Sequence, residues 1–335
     1  MKREYKLVLY ALGAFMLGYI VLSADWIEFY TYLQVTPVKV IVLLLFYQCI
    51  TKLLINIQWK SLASEVCGEV SFLDVVLANA TGDIMDGLTP GVKMGGELGR
   101  IFALKSRADI DIADASIIVG LQKTFSLFSF LLLTLGSVTW FSLSFGGSDK
   151  YYLYIFTAAI AAFIVIFAAL ILFVLKPETI MGRLGRISRG SKTITKIEES
   201  LKKYSQILRR LFSNKRLFCS QMLLGIFIWS FYAFKLHVLV KSYHIQMGFF
   251  SLAAITFLSY AMGMIPLLPG GMGSFESCMI LLLKLSGISV EMGAAIAIVF
   301  RLVTFWFEFI LSGLILILAS VPAICRGDND VKIQV

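Results

Sequence analysis

Long apolar segments constrain this chain more than any other feature of its sequence. A helix needs about 20 mostly apolar residues to cross a bilayer. Six segments meet that requirement, at residues 7–24, 38–59, 113–143, 151–175, 217–240 and 292–319. Only 15% of the residues are charged, whereas a soluble domain has about 25%. So few charges cannot cover a water-exposed surface. The sequence therefore excludes a soluble globule and a disordered chain, and it predicts an all-α polytopic membrane helix bundle.

The basic residues are concentrated in residues 176–216. This stretch holds twelve lysines and arginines and three glutamates, so it carries the whole net charge of +9. Basic loops of this length stay in the cytoplasm, so we predict a cytoplasmic linker. One side of it is apolar, which predicts a surface helix on anionic lipid headgroups. The apolar side chains are Ile194, Ile197, Leu201, Ile207, Leu208 and Leu211. A nucleic-acid partner is not favoured, since the stretch has no aromatic interleaving and no recognised binding module.

The linker determines the predicted orientation of the spans. Both termini lie in the cytoplasm if residues 71–104 and 247–285 each enter and leave the membrane on one face. We therefore predict six full spans and two re-entrant hairpins. The predicted units are a first membrane half (1–175), the linker (176–216), a second half (217–320) and a cytoplasmic tail (321–335). Short external connections are expected at residues 25–37 and 146–150.

A similar motif interrupts both hairpins. Pro90 and Pro269 each precede a glycine, and a small residue and a glutamate follow at the same offsets from each proline. Those glutamates are Glu97 and Glu276. Backbone groups freed at membrane depth are tolerated only where protein or water reaches them. Two broken helices in oppositely oriented halves are typical of a transport site, so we predict an inverted repeat. Packing turns with helix caps are the open alternative.

Small residues at the breaks are candidate binding positions. Glycines let the backbone approach a ligand closely. Ser274 is expected to cap the helix that starts near Phe275, whose N-terminus attracts an anion. The candidates are Gly96, Gly270, Gly271, Gly273 and Ser274.

Charged residues within the apolar segments are further candidates, because charges at membrane depth are costly and usually functional. Arg100 follows Glu97 by three residues, so we expect the two to share a helix face and pair. Arg301 lies about mid-depth in the last span, on the same face as Glu308. The two arginines would bind a lipid phosphate or carboxylate, while Glu97 and Glu276 would orient them or carry a proton. Structural ion pairs are the alternative.

Other charged residues are expected at less functional positions. We predict that Asp83 and Asp86 are solvated acids at a helix end. Lys52 and Lys235 are expected to reach water from near the ends of their helices.

No enzyme motif is found in the sequence. Nucleophile-elbow, zinc-protease, phosphate-loop and dinucleotide patterns are missing, so we assign no catalytic residue, cofactor or metal. The five cysteines are widely spaced without a CxxC pair, and we expect them to be buried apolar residues.

The two motifs resemble those of the lysylphosphatidylglycerol synthase transmembrane family, also called flippase-like membrane proteins. Its first motif has Pro, Gly, Glu and Arg in this order, which Pro90, Gly96, Glu97 and Arg100 match with one extra residue between Pro and Gly. Its second motif, Pro-Gly-Gly-x-Gly-x-x-Glu, is matched throughout by residues 269–276, and Arg301 fits an arginine of the following span.

The resemblance implies a cell-membrane protein that moves a lipid between leaflets. The headgroup would be anionic or zwitterionic, as in an aminoacylated phospholipid or a polyprenyl-phosphate-linked species. Family members fused to a soluble aminoacyltransferase domain make and flip lysyl-phosphatidylglycerol. Since this sequence ends at Val335, we expect no such domain and no transferase activity. The alternative is a membrane enzyme, or an accessory subunit of a separate lipid-modifying synthase, in polyprenyl-phosphate sugar or aminoacyl-phosphatidylglycerol synthesis.

Overall fold

Helices form all the regular structure of the described chain. The computed structural model describes residues 26–89, 94–145, 161, 165, 192–264 and 271–325. In these ranges no strand occurs, which confirms the predicted all-α class. The helices are α1 (Trp26–Val35), α2 (Val38–Cys67), α3 (Phe72–Leu88), α4 (Met94–Ala108), α5 (Ile112–Phe145), α6 (Lys192–Ser213), α7 (Lys215–Ser242), α8 (Phe249–Gly263), α9 (Ser274–Leu285), α10 (Val290–Arg301) and α11 (Phe307–Cys325), with a π-helical segment at Leu302–Trp306.

Four helical stretches of the described chain are long and apolar enough to cross a membrane. They are Val38–Cys67, Ile112–Trp140, Lys215–Ser242 and Val290–Ser320, and they correspond to four of the six predicted spans. The other two, residues 7–24 and 151–175, lie outside the described residues. Val42 and Phe46 of α2 are more than half exposed, which suits a surface that faces lipid. The described chain is a polytopic membrane helix bundle, while the total number of spans and the side of each terminus stay predictions.

Local sequence explains several helix boundaries. Asn214 and Ser289 cap α7 and α10, because their side chains accept hydrogen bonds from the amides of Leu217 and Met292. The predicted external connection at residues 25–37 is not a simple loop, since it contains α1. Its ten residues hold no glycine or proline, so nothing breaks the helix before Pro37.

Both irregular stretches fold as two helices separated by a break, as predicted. In the first, α3 packs against α4, and in the second, α8 packs against α9. The breaks themselves, residues 90–93 and 265–270, lie outside the described chain, and with them Pro90, Pro269 and Gly270. That each hairpin returns to the face it entered from stays a prediction.

The hydrophobic core has one large cluster around each hairpin. One joins α3 and α4 to α2 and α5 through residues such as Trp59, Val75 and Leu104. The other joins α8 and α9 to α7 and α10 and includes Phe275 and Phe300. The hairpins are therefore integral parts of the core.

The linker helix α6 packs against the bundle. Tyr204, Leu208 and Leu211 are buried against α2, α5 and α7, and the Tyr204 hydroxyl lies 2.7 Å from Oγ1 of Thr124. For Ile207, Leu208 and Leu211 the prediction of contact with lipid is wrong, because these side chains pack in a protein core instead. Lys202 remains exposed. Contact between the basic linker and anionic headgroups stays a prediction.

The cysteines do not follow the prediction of burial. Cys49, Cys67 and Cys219 are exposed, and Cys278 is half-buried. In a membrane bundle the outer surface is itself apolar, so a small apolar side chain is not driven to the interior.

Candidate functional site

A cavity of about 200 Å³ lies inside the bundle. Most of the described helices contribute to it, and α5 and α7 present residues three or four positions apart, which form one helix face. The charged side chains in its wall are Lys52, Asp83, Asp86, Glu97, Arg100, Lys123, Arg301 and Glu308. The aromatic side chains are Trp59, Trp229, Tyr232, Tyr260, Phe275, Phe305 and Phe309. An apolar bundle thus encloses an unusually charged interior.

Residues of both motifs meet at this cavity. Glu97 and Arg100 of the first motif line it, as do Gly271 of the second motif and Arg301 of the last span. Glu276 forms an ion pair with Arg301, and its Oε1 lies 2.8 Å from the arginine Nε. The structure therefore brings together two segments that are far apart in the sequence.

Arg100 does not pair with Glu97, contrary to the sequence prediction. Its Nη2 lies 2.8 Å from Oδ1 of Asp83, and its Nη1 lies 3.2 Å from Oδ2 of Asp86. The prediction of solvated aspartates is wrong as well, since the Asp83 side chain is only 8% exposed. The reason is tertiary: α3 packs on α4, so two acids of the facing helix surround the guanidinium group.

Lys52 connects this cluster to the last span. Its Nζ lies 2.5 Å from Oδ2 of Asp83 and 2.8 Å from Oε1 of Glu308. Ser312 donates a further hydrogen bond of 2.9 Å to Asp83. Four helices, α2, α3, α4 and α11, are joined by these contacts. The predicted position of Lys52 near water is wrong, because its neighbours supply two carboxylates in the interior.

Lys235 is also buried, with no exposed surface, so the prediction that it reaches water is wrong. It donates hydrogen bonds to the side chains of Gln48 and Thr51, the latter at 3.2 Å. Gln48 in turn donates to Glu308 at 3.1 Å. The lysine thereby joins the same network through a neutral amide.

The two motif glutamates have equivalent partners. Glu97 pairs with Lys123 and Glu276 pairs with Arg301, each with an N–O distance of 2.8 Å. Lys123 stands eleven residues after the start of α5 at Ile112, and Arg301 stands eleven residues after the start of α10 at Val290. Each motif glutamate thus holds a cation at the same position of the following span.

Arg301 is further enclosed by aromatic rings. Its guanidinium carbon lies 4.9 Å from the ring centre of Phe275 and 4.4 Å from that of Phe305, within the range of cation–π attraction. The π-helical segment starts at the next residue, Leu302. Segments of this kind are frequent at functional sites.

The N-terminus of α9 already holds a carboxylate. The Gly273 amide donates a hydrogen bond of 2.6 Å to Oε2 of Glu276. The prediction that Ser274 caps this helix is wrong. Ser274 lies inside the first turn, and its hydroxyl donates a hydrogen bond of 3.1 Å to the Gly271 carbonyl. The predicted anion site at this helix is therefore occupied by the glutamate of the motif itself.

The start of α4 has a similar arrangement. The Gly96 amide donates a hydrogen bond of 3.1 Å to Oδ1 of Asp86. A Cβ atom on Gly96 would lie 2.2 Å from the carboxyl carbon of Asp86. Only glycine leaves room for this carboxylate.

Sequence reasoning missed Lys52, Asp83, Asp86 and Glu308 as members of the site. The available signal was their charge within or beside apolar segments. Lys52, Asp83 and Asp86 were set aside because they were predicted near helix ends, and Glu308 was noted only as sharing a face with Arg301. Among the described residues, no group of three or more His, Cys, Asp or Glu side chains is placed to hold a metal ion. What the cavity offers chemically is ionic and hydrogen-bonding contact.

Known proteins place this chain among membrane proteins. The family profile described as the lysylphosphatidylglycerol synthase TM region matches residues 6–312. A UPF0104 membrane protein of Methanothermobacter thermautotrophicus is 26% identical over 269 residues, which are 76% of this chain and 77% of the relative. One of Pyrococcus horikoshii is 23% identical over 303 residues, covering 84% and 87%. A third, of Methanocaldococcus jannaschii, is 22% identical over 284 residues, covering 81% and 82%.

The match to the family profile covers most of the chain, from the first predicted span into the last. The described helices, with their apolar length and their two breaks, agree with it. The chain therefore belongs to the lysylphosphatidylglycerol synthase TM region family of integral membrane proteins.

Proposed function

We propose that this protein is a lipid translocator of the cell membrane. It moves a lipid with a charged headgroup, such as an aminoacylated phospholipid or a polyprenyl-phosphate-linked species, from one leaflet to the other. The observation that carries the proposal is the charged cavity enclosed by apolar helices and lined by both motifs. A charged headgroup crosses the hydrocarbon only at high cost, and this cavity supplies polar contacts inside the bundle.

The ion pairs suit a site that opens and closes. Arg301 and Lys123 are each held by a glutamate. An arriving phosphate or carboxylate takes the place of the glutamate beside each cation, and the released glutamate takes up a proton, so neither group is left as a bare charge in the interior. In this proposal Arg100, Arg301 and Lys123 bind the anionic part of the headgroup. Glu97 releases Lys123 and Glu276 releases Arg301, and each takes its cation back when the headgroup leaves.

Matching contacts in the two halves support an inverted repeat of re-entrant hairpins. The pairs Glu97–Lys123 and Glu276–Arg301 have the same length and the same position along the following span. Moreover α3, the first helix of one hairpin, packs on α11, while α8, the first helix of the other, packs on α5. Repeats of this kind expose a central site alternately to either side by moving one half against the other.

Transfer of a labelled lipid in reconstituted vesicles tests the proposal. The wild-type protein is expected to move a fluorescent anionic or aminoacylated lipid from the outer to the inner leaflet. Glu276→Gln and Arg301→Ala are expected to abolish transfer, because each leaves the site without one member of the pair. Glu291→Gln makes the same chemical change outside the cavity, near the start of α10, and should keep the wild-type rate.

Two results would count against the proposal. One is an unchanged leaflet distribution for every headgroup tried, with protein that is correctly folded. The other is a wild-type rate in both site variants, which would make the Glu276–Arg301 pair purely structural.

A second function is favoured by the description of the family, which names a synthase. The protein would then be a membrane enzyme or an accessory subunit of a separate synthase, acting on polyprenyl-phosphate sugars or aminoacyl-phosphatidylglycerol. Product formation by the purified protein would support the enzyme. Co-purification with a synthase, without lipid transfer, would support the subunit.

A further inference from the structure

Lys235 of α7 is a buried cation that the mechanism proposed above does not use. Its side chain has no exposed surface, and its hydrogen bonds go to the neutral side chains of Gln48 and Thr51. Among the described residues, every other cation of the cluster contacts a carboxylate at 3.2 Å or less, and these cations are Lys52, Arg100, Lys123 and Arg301. A buried charge without a directly bonded counterion is costly, so this lysine needs an explanation.

The surroundings of Lys235 suit both of its protonation states. Gln48 donates through its Nε2 to Glu308 at 3.1 Å, so its Oε1 accepts from the lysine. The Thr51 hydroxyl donates to a backbone carbonyl of its own helix at 2.8 Å, so its oxygen accepts from the lysine at 3.2 Å. An ammonium group has three protons to donate, and a neutral amine keeps two of them. Both hydrogen bonds of Lys235 therefore survive the loss of a proton.

Loss of this proton also breaks no ion pair of the described cluster. Deprotonation of Lys52 would remove the cation that both Asp83 and Glu308 contact. Deprotonation of Lys235 forfeits only the attraction between the ammonium group and the ring of Tyr232, whose centre lies 4.1 Å from Nζ. Lys235 is therefore the cation that changes its charge with the least rearrangement of its partners.

The helices packed against α7 bring no carboxylate to Lys235 in the part of the chain that the structure describes. These helices are α2, α5, α6, α8 and α10. The titratable groups that they direct towards α7 or the cavity are Tyr47 and Lys52 of α2, Lys123 of α5, Tyr204 of α6, Tyr260 of α8 and Arg301 of α10. The carboxylate that the network reaches is Glu308 of α11, which one amide separates from Lys235. Because Glu308 lines the cavity, the charge of Lys235 acts on the cavity wall through this amide.

The formal charges of the described cluster balance only when Lys235 is protonated. The carboxylates are Asp83, Asp86, Glu97, Glu276 and Glu308, and Lys235 is the fifth cation beside the four that are paired with them. Without its proton the cluster has one negative charge in excess, which opposes a further anion. Coupling of two binding events is reciprocal, so an anion in the cavity in turn favours the proton on Lys235.

We propose that Lys235 is a proton-binding site, and that an anionic headgroup occupies the cavity together with a proton on this lysine. The proton comes from water in the cavity by way of the Glu308 carboxylate, where an O–H bond breaks as the N–H bond of the ammonium group forms. It returns by the same route when the headgroup leaves. The proposal rests on the translocator function only for the coupled lipid, and the proton of a released motif glutamate is a separate one.

A first experiment needs no lipid substrate. The free energy of unfolding in detergent is compared for the wild type, Lys235→Met and Lys235→Arg between about pH 6 and about pH 9, where an ordinary lysine keeps its proton. If the folded wild type loses the proton that its unfolded chain keeps, its stability rises with pH relative to both variants. The expected change in the folding equilibrium is up to about tenfold per pH unit.

Lys241→Met is the matched control for this experiment. It makes the same chemical change at an exposed position in the last turn of α7. Its difference in stability from the wild type should be the same at every pH. Neither methionine nor arginine titrates in this range, so either replacement of Lys235 suffices if the other one fails to fold.

A second experiment measures coupling to lipid transfer. Fluorescent phosphatidylglycerol is the probe, in phosphatidylcholine vesicles with a gradient of about one pH unit and with the membrane potential clamped. One coupled proton changes the final ratio of the lipid between leaflets by about tenfold per pH unit. The ratio should therefore favour the alkaline side up to about tenfold less in both Lys235 variants than in the wild type and Lys241→Met.

The outcomes separate the proton site from the translocator. A stability difference between the wild type and the Lys235 variants that does not change with pH would overturn the proton site. Lipid transfer with the same final ratio in all four proteins would overturn the coupling and leave the translocator intact. A stability difference that changes with pH, without lipid transfer by any of the proteins, would support the proton site and contradict the translocator.

Discussion

Individual charged residues show how far burial changes the partners and the role of a side chain. Asp83 looks like an ordinary acid near a helix end, yet it accepts contacts from Lys52, Arg100 and Ser312. In the interior each charge depends on its partners, because desolvation is expensive and only close opposite charges offset it. The sequence showed which residues are charged but not which of them meet.

Replacing Asp83 tests this dependence. Asp83→Asn leaves Lys52 and Arg100 sharing fewer carboxylates in the interior, and we expect the free energy of unfolding to fall by about 3–5 kcal/mol. Denaturation of the purified protein in detergent measures it. Asp109→Asn is the matched control, since Asp109 is exposed and asparagine tolerates its positive φ of 51°. A loss no larger than in this control would show that the Asp83 cluster contributes little to stability.

Among the elements, the two hairpins were the most predictable and the π-helical segment the least. Proline and glycine at the breaks end helices for local reasons, so the sequence marked both interruptions. Nothing comparable marks Leu302–Trp306, which lies inside an apolar run. The extra residue per turn rotates α11 relative to α10, and Arg301 and Glu308 have different partners on the two sides of this segment.

Replacing Gly271 tests how tightly the second break is packed. Its φ of 68° is left-handed, and a Cβ atom there would lie 2.4 Å from the Gly263 carbonyl oxygen. Gly271→Ala should lower the free energy of unfolding by more than the roughly 1–2 kcal/mol of the left-handed conformation alone. Gly136→Ala in α5 is the control, because its Cβ would meet nothing within 4 Å. The free energy of unfolding of the control variant should be unchanged or higher by up to about 1 kcal/mol. Equal stability of the two variants would contradict the tight break.

At the scale of the whole molecule, the charge distribution predicts an orientation that the helices alone do not. A bundle viewed without its membrane is equally compatible with either side facing the cytoplasm. The basic linker predicts one of the two orientations, since loops rich in lysine and arginine are generally retained inside.

Cysteine labelling of intact cells tests this orientation. In a variant without the five natural cysteines, we introduce Lys202→Cys in α6 or Gln246→Cys after α7, both at exposed positions. A membrane-impermeant maleimide should label the second variant in intact cells and the first only after permeabilisation. The reverse pattern would place the linker outside and contradict the predicted topology.

The sequence by itself determined the class of this protein, because apolar length, sparse charge and helix-breaking residues act locally and need no partner. It also determined which motif residues to examine. Only the tertiary structure decided the pairing of charges, since Lys52 and Glu308 are 256 residues apart and meet through the packing of their helices. Contacts between helices depend on how whole faces fit, and a one-dimensional pattern does not contain that information.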